Sequence, residues 1–126
     1  MNVADLLLSL VELDVVLWTD GDRLRFRAPA GVLDDDTRAS AARCRGTLGA
    51  LVEAGAVLPA DRCAWPDDAV DAFEERAAIM EFDGGLTRAH AEREAERLVR
   101  LDHTRAFVAQ LALADVPAAA AVASRP

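Results

Sequence analysis

VVLWTDGDRLRFRA, residues 15–28, holds two alternating runs on either side of Asp20-Gly21-Asp22. An Asp-Gly pair between such runs predicts a β-hairpin, because the tight turns that match strand twist need positive φ, where glycine carries no steric cost. With Asp20-Gly21 central, Leu17 faces Leu24 and Val15 faces Phe26, while Trp18, Val16 and Asp14 meet Arg23, Arg25 and Arg27 on the other side. With Gly21-Asp22 central, the partners change by two residues and every side chain keeps its face. Either way Val15, Leu17, Leu24 and Phe26 form one face suited to burial against helices. The other face carries Trp18, Val16 and three arginines at period two. A two-stranded ribbon leaves unpaired backbone groups along its edges, where another strand can add.

Upstream, residues 3–13 read as a short helix whose stripe of Leu6, Leu7, Leu10 and Val11 points to the inner face of the hairpin. Downstream, Pro29-Ala30-Gly31 breaks the strand, and Val32-Leu33 tuck back into the core. Asp34, Asp35 and Asp36 supply an N-cap and first-turn acids for a second helix from about Asp35 to about Ala54, with Gly55 beyond its end. Gly46 and Gly49 weaken that helix and permit close approach to the hairpin or to a second copy of the chain. Residues 56–66, with two prolines and no period, form a connector in which Trp65 packs over a neighbouring element. A third helix starts at Asp67-Asp68, carries Val70, Phe73, Ala77 and Met80 on one side, and stops at Gly84-Gly85. Thr87 caps a fourth, running to about Ala114, with Leu98, Leu101, Val108 and Leu111 as its apolar side and Glu96–Arg100 as an i,i+4 pair. The expected architecture is α+β: helix, β-hairpin and helix over residues 1–55, the connector, an αα-hairpin over 67–115, and a disordered tail over 116–126.

Composition bounds the function. At 126 residues and 52% apolar, much of it alanine, the chain suits one modest core or a small domain with a helical appendage. Its net charge of −8 argues against broad attraction to nucleic acid or an anionic membrane. Cys44 and Cys63 match no metal or redox spacing and read as reduced thiols. The opening residues read as a helix rather than a signal peptide or membrane span, which places the protein in the cytoplasm.

Helix, WTDGDRLRFRAPAGVL and helix together resemble the TubC-type N-terminal docking domain of nonribosomal peptide synthetase subunits, over residues 1 to about 55. The matching residues are Leu6, Leu7 and Leu10; Val15, Leu17 and Trp18; Gly21-Asp22-Arg23-Leu24-Arg25; Ala28-Pro29; Gly31-Val32-Leu33; and Leu48 and Leu51. The resemblance implies an αββαα-like fold, often homodimeric, whose hairpin captures a partner's C-terminal peptide by strand addition. Carried over, Arg23, Arg25 and Arg27 would face acidic residues of that tail, and the edge of Leu24–Ala28 would supply backbone pairing. In the second half, ERAAIMEFDGGLTRAHAE resembles a helical segment of bacterial mobile-element and replication-region proteins.

Catalytic chemistry is not assembled anywhere in the pattern. His90 and His103 sit 13 residues apart on one helix, too far for a two-ligand site. Glu74, Glu75, Glu81 and Asp83 read as a solvated helix face, since hard-cation sites need a loop spacing this run lacks. The expected protein is a non-enzyme needing no cofactor or metal: a docking adaptor that binds an acidic extended peptide through Trp18, Arg23, Leu24, Arg25, Phe26 and Arg27. Two readings compete for the same face. One is a solubilising surface with Trp18 stacked on Arg23 or Arg25. The other is an accessory nucleic-acid-binding protein whose arginine ribbon lies in a groove.

Overall fold

The computed structural model describes residues 2–123. Helix α1 (Val3–Glu12) begins on an Asn2 cap, whose side chain accepts from the Asp5 amide at 2.8 Å. All four residues of its expected stripe, Leu6, Leu7, Leu10 and Val11, are buried. After Asp14, a non-glycine residue at φ 66°, β1 (Val16–Asp20) and β2 (Arg23–Arg27) form the antiparallel hairpin. The two-residue turn is Gly21-Asp22, the second of the expected registers, and it pairs Trp18 with Arg25 and Leu17 with Phe26.

The single helix expected from about Asp35 to Ala54 is instead two, α2 (Asp35–Arg43) and α3 (Arg45–Glu53), which meet at Cys44 with φ −97° and ψ 12°. The bend lets each half aim its own apolar residues at the core, Ala41 and Cys44 before it and Leu48, Leu51 and Val52 after it. Asp34 caps α2 as expected, accepting from the Thr37 amide at 2.7 Å. Hydrogen bonds from the Thr37 hydroxyl and amide hold its carboxyl below the ordinary aspartate value.

The connector is more ordered than its composition suggests. Ala56 and Leu58 are fully buried, and a 3-10 turn spans Arg62–Ala64. Trp65 packs as expected, meeting Phe73 edge-on at 6.1 Å and donating from Nε1 to the Pro59 carbonyl at 2.8 Å. Helix α4 (Asp67–Phe82) ends at Gly84-Gly85. A Cβ on Gly84 would stand 2.7 Å from the Met80 carbonyl oxygen, and Gly85 sits at φ 70°, so both positions require glycine. Helix α5 (Arg88–Ala123) overruns the expected end near Ala114 and overlaps the expected tail, whose last three residues lie outside the described residues.

Helix α5 lies between α4 and α1, so it buries two faces instead of one stripe. Ala95 and Val99 pack with Phe73, Ala77 and Trp65, whereas Leu101 joins the cluster of Leu7, Leu10, Leu17 and Leu48, with Phe107 packed against it. Leu98, Val108 and Leu111, expected on the apolar side, are only half-buried, because small residues and Thr104 occupy the contact faces. Side chains fasten α5 to the connector as well. Thr104 donates to the Ala56 carbonyl and Arg100 to the Leu58 and Ala60 carbonyls, and His103 Nε2 donates to the Gly55 carbonyl.

Candidate functional site

Two positions on the hairpin depart from expectation. Val16, assigned to the exposed face, is 5% exposed; Phe26, assigned to the buried face, is 52% exposed. The α5–connector assembly explains Val16: a recess beside it is walled by Glu96 of α5, and another joins Trp18 to Leu58, Pro59 and Pro66. Residues of the second half of the chain therefore border the outer face of β1. Strand β2 keeps Arg23, Arg25 and Arg27 in solvent, and its only strand partner among the described residues is β1.

Two concavities flank β2. The first, about 660 Å³, touches the consecutive residues Asp22, Arg23, Leu24 and Arg25, so it meets side chains from both faces and runs alongside the strand. Its opposite wall is α3, with Arg45, Gly46, Gly49, Ala50 and Glu53. Added Cβ atoms at Gly46 and Gly49 would meet nothing within 4 Å, so this wall is open. The second, about 290 Å³, lies under the inner face between Leu24, Phe26, Leu33, Ala41, Ala42 and Leu48, with Arg38 and Arg45 also lining it. Leu24 and Arg45 line both, so the two adjoin.

The arginines divide by role. Arg62, Arg76, Arg88, Arg97 and Arg100 are tied into ion pairs with acids of the helical half. Among the described residues, Arg23, Arg27, Arg38 and Arg45 make no ion pair, and Arg25 makes one long contact to Asp20 at 3.7 Å. No arginine is stacked on Trp18 among the described residues, where the cation–π contacts are Arg62 on Phe73 and Arg100 on Trp65. Four of these guanidinium groups, Arg23, Arg25, Arg38 and Arg45, thus line the grooves beside β2, the first of which also carries the carboxylates of Asp22 and Glu53.

The site thus joins an open strand edge, a helical wall and a rim of arginines. Residues 3–43 match the TubC N-terminal docking domain family. This TubC-type segment ends with α2, so α3 and the helical half lie beyond the match. The match marks the first third of the chain as a protein–protein docking module. No curated protein and no solved structure matches the chain.

Of the expected partner-binding residues, Arg23, Leu24 and Arg25 line the first groove and Leu24 and Phe26 the second. Trp18 lies apart, half-buried against the connector, and Arg27 borders the recess beside Val16. Arg38 and Arg45 escaped the sequence reading of the site. The signal was present as Arg38-x-x-Ala41-Ala42-x-x-Arg45, a helical stripe of small residues bracketed by arginines. No group of three or more His, Cys, Asp or Glu is placed to hold a metal ion among the described residues, and no helix there is long and apolar enough to cross a membrane.

Proposed function

We propose that the protein is a docking adaptor that captures an acidic, extended segment of another protein by strand addition to the free edge of β2. The observation that carries this reading is the set of arginines around the unpaired edge of β2, of which, among the described residues, only Arg25 makes an ion pair, a long one to Asp20 at 3.7 Å. Backbone pairing along Arg23–Arg27 supplies affinity independent of sequence, and Arg23, Arg25 and Arg27 select acidic residues at alternate positions of the incoming strand. The arginines at alternate positions of β2 make it the receiving strand for an acidic segment.

The test is binding of a labelled peptide of alternating glutamate and serine, read by fluorescence anisotropy, with hydrogen exchange on the complex. Each exposed charge contact contributes roughly 0.2–1 kcal/mol, so replacing Arg23, Arg25 and Arg27 together by Glu weakens binding at least about tenfold and leaves the fold intact. Amides of Arg23–Ala28 exchange more slowly in the complex. Equal binding by wild type and triple variant, or binding with no slowing in β2, refutes the reading; retardation of duplex DNA by the wild type at low salt would direct it to nucleic acid instead.

A further inference from the structure

Resting on this docking reading, we propose that the captured strand also carries one bulky apolar side chain on the face opposite its acids, seated between Phe26 and Ala42. Side chains of an added strand alternate between faces. Those level with Arg23, Arg25 and Arg27 project to the outer, cationic side; those level with Leu24 and Phe26 project down onto α2 and α3. Below Phe26 they meet the 290 Å³ groove, whose walls of Leu24, Leu33, Ala41 and Ala42 are apolar. Phe26 stands 52% exposed over that space, an apolar ring that no side chain among the described residues covers. Arg38 and Arg45, three residues to either side of the Ala41-Ala42 pair, also line this groove, while the acids flanking the apolar residue turn outward to Arg23, Arg25 and Arg27. The ligand is therefore an acidic–apolar–acidic strand rather than a uniformly acidic one.

A second copy of this chain does not supply it. Its two triplets of that kind are not extended strands: Glu12-Leu13-Asp14 forms the end and cap of α1, with Asp14 at φ 66°, and Glu81-Phe82-Asp83 the last turn and cap of α4.

Three seven-residue peptides distinguish the outcomes on the full chain. The first has glutamate at odd and serine at even positions; the second places leucine at the central even position; the third exchanges that leucine with the neighbouring glutamate, keeping the composition. The second peptide binds about tenfold tighter than the first, the increment expected for burying most of a leucine side chain, and the third gains nothing. Ala42→Trp, which fills the groove from an exposed position, erases the gain and leaves the serine peptide within about twofold of its wild-type affinity. Equal affinity for the first two peptides, or the same gain from the third, overturns the anchor and leaves strand docking standing. Failure of all three to bind overturns both.

Discussion

Arg100 is the side chain on which the covered state of β1 depends, and its removal has a magnitude that can be worked out. The residue is 5% exposed; its guanidinium donates from Nη1 to the Leu58 carbonyl at 3.0 Å, from Nη2 to the Ala60 carbonyl at 3.1 Å and from Nε to Glu96 at 3.0 Å, and it lies 5.1 Å from the centre of the Trp65 ring. Arg100→Met keeps the aliphatic stem. It leaves the buried Leu58 carbonyl without a donor, about 1–3 kcal/mol, while the half-buried Ala60 carbonyl recovers part of its loss from water. The contact over Trp65 adds about 1 kcal/mol. Glu96 keeps Arg62 at 3.6 Å, which limits the cost of its lost partner. The sum is about 3 kcal/mol, or a fall in Tm of about 10 °C for a chain of this size. Arg97→Met, on the same helix and paired with Glu94 nearer the surface, loses under about 1 kcal/mol. Thermal melts followed by circular dichroism measure both, and hydrogen exchange at residues 56–60 shows whether the connector loosens. A loss under about 1 kcal/mol for Arg100→Met, or equal losses for the two variants, would refute the assignment of Arg100 as the fastening.

Two further perturbations follow from local geometry. Gly84→Ala places a methyl group against the Met80 carbonyl and loses about 1–3 kcal/mol, measurable as a lower urea midpoint with unchanged slope; an unchanged midpoint would mean that the turn relaxes freely. At Asp14, burial foremost and the Glu96 carboxylate next raise the carboxyl above the ordinary aspartate value, opposed by Arg100 and Arg97. The folded chain then holds this proton more tightly than the unfolded one, so the group's contribution declines as pH rises from the unfolded value through the folded one. Asp14→Asn, which tolerates the same positive φ, raises Tm at neutral pH, and its advantage disappears below the ordinary aspartate range; an advantage that persists in acid would assign the effect to something other than charge.

The elements were largely legible because their signals are local. The Asp-Gly turn, the Leu6–Leu7–Leu10–Val11 stripe, the Asp34 cap and the Gly84-Gly85 stop each act within a few residues. What sequence misplaced depends on contacts between distant segments. Alternation assigns Val16 to solvent, and only the return of α5 and the connector to that face buries it. Alternation assigns Phe26 to the core, but the bend at Cys44 and the small residues of α2 leave the space beneath it unfilled. Leu98 carries the strongest apolar signal in its turn, yet Ala95 and Val99 make the contact with α4, because close helix packing favours small side chains.

These displacements have one consequence for docking. A bare hairpin offers two edges and two faces, and an acidic peptide then has several ways to bind. Here the helical half and the connector stand beside Val16 and Trp18 of β1, and Arg76, Arg88, Arg97 and Arg100 are held in ion pairs of the helical half. The arginines near β2 are left without such partners, on the side where α2 and α3 leave a floor of small residues. Glu81, Glu92, Glu94, Glu96 and Asp102 of the helical half are set against its own bases, and Arg23, Arg25, Arg38 and Arg45 line the grooves beside β2, so the local charge there favours an acidic strand despite the net charge of −8. On this reading the second half of the chain limits access to the outer face of β1, so that loosening it, as in Arg100→Met, makes peptide capture less selective before it makes it weaker.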